Sequence, residues 1–242
     1  LLAITWLQHS AMDRGKRFWP VDNSDSNRMF PVYDLGETTQ RNAAGVFAKV
    51  KDYDYGFQFA SFYLPGDFIP HVRMMDTGRQ NTSLAGLFGL PYVVVRRPKP
   101  IDTTTLNYNW QIWDTSAFSL YTTETDFIDE VSARQAVAAV LRFLTRMGIL
   151  KYNSHSGYIS TVIEEEELTS VRTAAGGIYR RLCRPGDEVR MGTPLAEIVH
   201  PYEGNVISTV LSPTAGTVFF THKKPLVTEN EVICKNFIPD QV

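Results

Sequence analysis

One stretch indicates the fold of the C-terminal third of the chain: Arg184-Pro185-Gly186-Asp187-Glu188-Val189-Arg190-Met191-Gly192-Thr193-Pro194-Leu195-Ala196-Glu197-Ile198. It contains a Pro-Gly-Asp turn, a short strand, a Gly turn and a second strand. Residues 204–207 and 212–218 continue the same alternation of turn residues and β-rich runs. Turn signals at intervals of ~8–12 residues are typical of a small sandwich or barrel. We therefore predict an all-β barrel-sandwich module over residues 153–242.

The preceding part of the chain alternates strand-like and helix-like stretches, which is typical of a sheet covered by helices on both faces. The pattern predicts the following elements: strands at 1–7, 55–59, 92–95 and 117–121, and helices at 38–50, 83–88 and 128–147. We therefore expect residues 1–152 to form an α/β domain. The chain has no initiator Met and begins within a predicted strand, so we expect this domain to lack its N-terminal part.

The long helix predicted at 128–147 has a regular apolar stripe. Its members lie at helical spacing: Val137, Val140, Leu141 and Leu144. Such a stripe predicts the face of the helix that packs on the core. Gly148 follows at the position where a glycine commonly ends a helix.

Composition and charge exclude several classes of protein. Of the 242 residues, 24 are Lys or Arg and 26 are Asp or Glu, and no apolar run approaches the ~18 residues of a membrane-spanning helix. The balanced charge provides no general attraction to nucleic acid or to an anionic membrane, so we expect neither partner. The two cysteines, Cys183 and Cys234, are too few for a disulfide scaffold, and we expect them to be buried as small hydrophobes. We expect a cytoplasmic protein.

Several short motifs resemble those of one family, and they occur in its order. Asp25-Ser26-Asn27-Arg28-Met29-Phe30-Pro31 resembles the segment D-L-N-R-x-F-P-G, and Ile69-Pro70-His71-Val72-Arg73 resembles x-P-H-x-R. Tyr55-Gly56-Phe57-Gln58-Phe59-Ala60-Ser61 lies where the family has a strand ending D-L-H-T. Ala117-Phe118-Ser119-Leu120-Tyr121 resembles the strand that carries a catalytic Glu, seven residues before I-D-E, here Ile128-Asp129-Glu130.

Together with the β module, these motifs resemble the succinylglutamate desuccinylase/aspartoacylase family. Its members are zinc carboxypeptidase-like deacylases, which cut the amide bond of N-acylated amino acids. The resemblance implies a zinc-carboxypeptidase-like mixed sheet with flanking helices, followed by the small all-β barrel-sandwich module. The β module also resembles biotinyl and lipoyl carriers, but its turn at 212–216 has no Lys to modify, so we do not expect a carrier.

The same resemblance tests whether a zinc site is encoded. Such a site needs three protein ligands, an open position for water and a carboxylate that accepts the proton of that water. The family takes two ligands from a His-x-x-Glu upstream of the aligned segment, a third from the His of D-L-H-T and its base from the later Glu. Ala60 occupies the third ligand position and Tyr121 the general-base position.

A methyl group cannot bind a metal, and a phenol with an ordinary pKa near ~10 accepts protons poorly at neutral pH. We therefore expect no metal ligand set, no catalytic residue and no cofactor. An alignment error of three residues would place Glu124 at the base position, so Glu124 is the alternative.

The family's substrate-binding positions are retained. The resemblance implies that Asn27 and Arg28 grip a substrate carboxylate, with Arg17 as a possible second arginine, because a guanidinium pairs with both carboxylate oxygens. A surface Asn-Arg turn is the alternative interpretation. These residues predict an acidic small molecule as the ligand.

Four further features have plainer interpretations. We expect His71 to make a structural hydrogen bond, and His200-Pro201-Tyr202-Glu203 to form a loop although it matches His-x-x-Glu. We expect residues 164–167, four glutamates, to be a solvated linker. Arg96 and Arg97 are expected at a solvated strand end, with contact to an anion as the alternative.

Two functions remain open. In the first, the chain is a non-catalytic binding or partner subunit on a deacylase scaffold, working with a second protein chain or as a homo-oligomer. In the second, it is an active zinc-dependent hydrolase that cleaves the amide bond of an N-acyl amino acid, with ligands from an upstream segment.

Overall fold

A computed structural model describes the chain except for residues 6–10, 12, 16, 17, 32, 63, 123–128, 154 and 239–242. The helices are α1 (Thr38–Val50), α2 (Thr82–Gly86), α3 (Leu106–Ile112) and α4 (Glu130–Arg146), and 3-10 turns lie at Ser26–Arg28, Pro100–Thr104 and Glu165–Glu167. Within the described part of the chain, no helix combines the length and the apolar character that crossing a membrane requires.

The first six strands are β1 (Tyr55–Ala60), β2 (Gly66–Phe68), β3 (His71–Met75), β4 (Tyr92–Arg96), β5 (Ser116–Tyr121) and β6 (Thr161–Glu164). Five of them form one sheet in the order β1-β5-β3-β4-β6, in which β4 and β6 run parallel. Every residue of β3 is buried, as are the three valines of β4. Strands without polar alternation are typical of a sheet covered on both faces, which confirms the predicted α/β class.

The remaining strands build the predicted all-β module. They are β7 (Thr169–Arg172), β8 (Gly177–Arg181), β9 (Glu188–Val189), β10 (Pro194–Val199), β11 (Val206–Leu211), β12 (Gly216–His222), β13 (Leu226–Val227) and β14 (Val232–Phe237). Together with β2 they pair into two antiparallel sheets, β11-β10-β8-β13 and β2-β12-β14-β7, and β9 pairs with β12. Leu195, Ile198, Val218 and Ile233 are fully buried in one cluster. The turns at Gly186 and Gly192 require positive φ angles of 95° and 84°, which glycine adopts without strain.

The chain forms two compact units, neither of them continuous in sequence. The first unit comprises Leu1–Gln58, Met74–Asn81 and Arg96–Ser119, and the second comprises Phe59–Arg73, Thr82–Val95 and Leu120–Val242. The boundary after residue 152 stays a prediction.

Helix α1 shows how closely local sequence can determine an element. Its bounds are those predicted from the sequence, and Ala43, Ala44, Phe47 and Val50 form its buried face. Glu37 and Gln40 close its start with a capping box, which satisfies two backbone N–H groups that a helix start otherwise leaves free.

Two predictions about local structure were wrong. Residues 1–5 of the strand predicted at 1–7 are irregular and exposed, because a short apolar run forms a strand only where one face is buried. The stripe predicted in α4 is wrong at Val137, which is 55% exposed, whereas Leu144 is buried as predicted. The buried face consists of Ser132, Ala136, Ala139, Arg142, Phe143 and Leu144. Ser132, Ala136 and Ala139 are small members of this face, which a count of large apolar residues misses. Gly148 has a φ of 73° after the helix, as a C-terminal cap requires.

Candidate functional site

Tyr121, at the position where the resemblance places a general base, is the last residue of β5 and lies in the second unit. Its ring stacks on the imidazole of His71 with centroids 4.9 Å apart and an angle of 5° between the planes. Phe62 and Phe68 approach it edge-on, each with centroids 6.2 Å away. The phenol is therefore part of a packed aromatic cluster.

His71 is fully buried beneath this ring. Its Nδ1 lies 2.8 Å from the carbonyl oxygen of Ile69, which confirms the predicted structural hydrogen bond. Burial, reinforced by the nearby charge of Arg73, lowers the pKa of His71 to about 3, although the bond to Ile69 opposes the shift. His71 is therefore a neutral imidazole at physiological pH, held by its backbone partner.

Arg73 brings a positive charge into the same cluster. Its side chain is only 6% exposed, and its guanidinium carbon lies 5.5 Å from the ring centre of Tyr121 and 5.8 Å from that of Phe62. Nη2 of Arg73 donates to Oε1 of Glu165 in an ion pair. Burial acts to lower the pKa of Arg73, but Tyr121 and Glu165 outweigh it and raise that pKa. The guanidinium therefore stays charged inside the second unit.

Glu164, Glu166 and Glu167 are exposed, as the prediction of a solvated linker at residues 164–167 requires, but Glu165 is not. Its side chain is 19% exposed and serves as the carboxylate of Arg73. Burying a guanidinium without an opposite charge destabilises a fold. The turn Glu165–Glu167 places the carboxylate of Glu165 beside Arg73 and so offsets this loss. Lys235 supplies a further cation, with Nζ 5.7 Å from the ring centre of Phe62.

The described residues around Ala60 and Tyr121 do not fit a zinc ion. Ala60 ends β1 with a half-buried methyl group, which has no lone pair to donate. Across the described ranges, no three His, Cys, Asp or Glu side chains lie together as metal ligands would. Stacking and the bond to Ile69 engage His71, the histidine of the cluster. No catalytic step through zinc is therefore derived from these residues.

Asn27 and Arg28 lie in the first unit, on the 3-10 turn Ser26–Arg28, and both make internal contacts. Asn27 Oδ1 accepts hydrogen bonds from Gln58 Nε2 and from the backbone N–H of Leu106, each at 3.2 Å. Arg28 Nη1 donates to the carbonyl oxygen of Ile101 at 2.9 Å and lies 3.4 Å from Asp102 Oδ1. These contacts give the pair a structural role, and its predicted role in substrate binding stays a prediction.

The carboxylate of Asp102 connects a second arginine to this network. Asp102 is 2% exposed, and its Oδ2 lies 2.9 Å from Nη2 of Arg96. The side chain of Arg96 is only 15% exposed, so the expectation of a solvated strand end was wrong for this residue. The buried carboxylate of Asp102 is thus paired with two guanidiniums. Such pairing is needed because burying an unpaired charge is strongly unfavourable.

Sequence reasoning missed a cavity of about 880 Å³ in the first unit. Asn27 and Gln58 lie in its wall, together with Arg41 and Lys49 from the exposed side of α1 and with the carboxylate of Asp25. Arg41 and Lys49 could have been noted as two cations eight residues apart on a predicted helix, but nothing local indicates that their helix borders a cavity.

The remaining candidates are resolved or lie outside the described residues. His200 and Glu203 lie in an exposed turn, where the N–H of Glu203 donates to His200 Nδ1 at 3.2 Å, so the predicted loop is confirmed. Cys183 and Cys234 are buried and free, as expected. Arg17 and Glu124 lie outside the described residues, and their roles stay predictions.

Comparison with known proteins supports the fold. No family model and no curated protein sequence matches the chain. Among solved structures, a succinylglutamate desuccinylase/aspartoacylase from Rhodobacter sphaeroides is 19% identical, with a TM-score of 0.76 over 95% of this chain and 73% of that chain. A succinylglutamate desuccinylase from Silicibacter sp. TM1040 is 16% identical, with a TM-score of 0.80 over 96% of this chain and 73% of that chain.

A third similar structure is the product-bound ectoine utilization protein EutE (DoeB) from Ruegeria pomeroyi. It is 18% identical, with a TM-score of 0.77 over 96% of this chain and 73% of that chain. At these identities the likeness concerns the backbone rather than the site. The chain therefore has the fold of the succinylglutamate desuccinylase/aspartoacylase structures.

Proposed function

We propose that this chain is a non-catalytic protein on a deacylase scaffold, which binds an acidic small molecule and works as a subunit beside a second protein chain or another copy of itself. One observation carries the proposal. Ala60 occupies the position of the third zinc ligand and Tyr121 that of the general base, and zinc deacylation needs both groups.

The surroundings of Tyr121 support the absence of hydrolysis. A general base needs a lone pair aimed at the attacking water and a pKa near the working pH. The ring of Tyr121 instead packs between His71 and the edges of two phenylalanines, with a guanidinium over its face. Ala60 contributes no ligand, and the described residues contain no group of three that could replace a zinc site.

The cavity of the first unit supports the binding of an anion. Arg41 and Lys49 bring two cations to its wall, while Asn27, Asn42 and Gln58 supply amides. Cations and amide donors around a cavity suit the carboxylates of an acidic amino acid or its N-acyl derivative.

A partner chain is supported by exposed apolar side chains in the second unit. Ile149, Tyr152, Tyr158 and Ile159 are between 51% and 99% exposed within a short segment. Apolar side chains concentrated in this way are a common mark of protein–protein contact.

Hydrolysis is tested by incubating the purified full chain with zinc and a panel of N-acetyl and N-succinyl amino acids, with a deacylase of known activity as the positive control. We expect no release of free amine above the rate without protein. Chelator-sensitive release would contradict the proposal and support the alternative, an active zinc-dependent deacylase.

Binding is tested by calorimetric titration with N-acetylaspartate. We expect Lys49→Ala and Arg41→Ala each to weaken binding about tenfold, because each removes a charge-assisted contact. Lys151→Ala removes an exposed lysine of the second unit and is the matched control. Equal affinity in all four proteins would show that the cavity is not the binding site.

A further inference from the structure

The β sandwich of the second unit contains two cysteines that the proposed function does not use. Cys183 lies two residues beyond β8, and Cys234 lies within β14. Both are free, 6% and 1% exposed respectively, and both belong to one apolar cluster. The segment after Cys183 reaches β12, the neighbour of β14, where the N–H of Gly186 donates to the carbonyl oxygen of Val218 at 2.8 Å. In agreement with this placement, each thiol is the main influence on the pKa of the other. The only two thiols of the chain are therefore brought together from positions far apart in sequence.

The two thiols differ in their surroundings. Cys234 is fixed in the middle of a sheet, opposite Val171 on one side and Thr221 on the other, and its Sγ lies 3.0 Å from Asn236 Oδ1. Cys183 lies between two exposed residues, Leu182 and Arg184, so its backbone runs along the surface. Cys183 is therefore the more accessible of the two buried cysteines.

The pKa shifts of the two thiols also favour oxidation of Cys183 before Cys234. The interaction with the Cys234 side chain lowers the pKa of Cys183 and the charge of Arg181 acts in the same direction, although burial and the charge of Asp187 oppose them. The pKa of Cys234 is raised by the same interaction and by burial. Because the thiolate is the reactive form, Cys183 is the nucleophile of the pair.

We propose that Cys183 and Cys234 close into an intramolecular disulfide when a peroxide oxidises the protein. The Cys183 thiolate attacks one oxygen of hydrogen peroxide, the O–O bond breaks and a sulfenic acid forms, while the other oxygen leaves as hydroxide and becomes water. The sulfur of Cys234 then attacks that of Cys183, and the S–O bond breaks. The departing hydroxide takes the proton of Cys234 as a second water, so two electrons pass from the thiols to the peroxide.

This bond would connect the two sheets of the module. Cys183 follows β8 of the sheet β11-β10-β8-β13, and Cys234 belongs to β14 of the sheet β2-β12-β14-β7. A bridge across some fifty residues of chain restricts the unfolded state strongly, so we expect the midpoint of thermal unfolding to rise by about 5 °C or more.

The test treats the folded full chain with hydrogen peroxide, alkylates the remaining thiols after denaturation and digests the product with trypsin. We expect residues 182–190 and 224–235 to appear as one linked pair, lighter by two hydrogens than the sum of the reduced peptides. The rise in midpoint should disappear on addition of a dithiol reductant. Recovery of both cysteines alkylated, or linked only between chains, would overturn the proposal without affecting the proposed function.

The order of the steps is tested with dimedone, which traps sulfenic acids. We expect Cys234→Ser to be labelled at Cys183, and Cys183→Ser to be labelled at Cys234 at least about tenfold more slowly. Faster labelling of Cys234 would contradict the assignment of Cys183 as the nucleophile. Because peptide mapping of the unsubstituted protein needs neither variant, the disulfide remains testable if a serine variant does not fold.

Discussion

At the scale of single residues, Arg73 explains most of what surrounds Tyr121. A guanidinium that is 6% exposed needs a carboxylate and aromatic faces, and Glu165, Phe62 and Tyr121 provide them. Tyr121 thus contacts a buried cation with its ring and packs on His71. The ion pair of Arg73 and Glu165 could not be predicted from the sequence, because 92 residues separate the two and no local pattern connects them.

Glu165→Gln should therefore destabilise the protein. The substitution leaves the buried Arg73 without its counter-charge, and we expect a loss of about 2–4 kcal/mol in the free energy of unfolding, measured with urea. Glu166→Gln changes the same charge in the same turn at an exposed side chain and should cost less than about 0.5 kcal/mol. Equal losses in the two variants would show that the ion pair contributes nothing specific.

His71 makes stability depend on pH. Its pKa is about 3 in the fold, whereas in the unfolded chain it titrates near its ordinary value of about 6.5. As the pH falls below about 6.5, the unfolded chain binds a proton that the folded chain refuses, so stability is lost on acidification.

His71→Phe retains an aromatic ring and removes this titration. Between pH 7 and 5.5 we expect the variant to lose about 1 kcal/mol less stability than the unsubstituted protein, measured by urea unfolding at both pH values. Burial also lowers the pKa of His222, but that effect is present in both proteins and cancels in the comparison. An identical loss in both would mean that His71 takes up a proton in the fold.

At the scale of elements, local signals predicted most helices and strands, and burial then corrected the details. Thr38–Val50 was predictable to the residue, because caps and a helical apolar face agree there. The strands of the β module followed from their turns. The face that α4 buries was only partly predictable, because the small side chains of Ala136 and Ala139 lie on it beside Phe143 and Leu144, whereas Val137 is exposed.

Helix α4 provides a direct test of that orientation. Phe143 is fully buried and stacks on Phe88 with ring centroids 4.6 Å apart, whereas Val137 is 55% exposed. We expect Phe143→Ala to cost about 3–5 kcal/mol in the free energy of unfolding. Val137→Ala should change it by less than about 0.5 kcal/mol. If Val137→Ala lowered the free energy of unfolding more than Phe143→Ala does, the helix would bury the face that the sequence pattern indicated.

At the scale of the whole molecule, the chain has the fold of the succinylglutamate desuccinylase/aspartoacylase structures, and Ala60 and Tyr121 occupy two positions at which the family resemblance implies a metal ligand and a base. The fold could be anticipated, because the order of weak motifs agreed with the turn pattern of the β module. The cavity of the first unit could not, because it depends on the placement of α1 beside the turn that carries Asn27. A fold can host several functions, so the site rather than the backbone decides between hydrolysis and binding.

The most direct test is the zinc content of the full chain, freed of any affinity tag, equilibrated with a small molar excess of zinc and dialysed. The account predicts well below one equivalent of bound zinc per chain, because Ala60 offers no ligand and the described residues hold no group of three donors. About one equivalent, retained on dialysis and removed by a chelator, would contradict it.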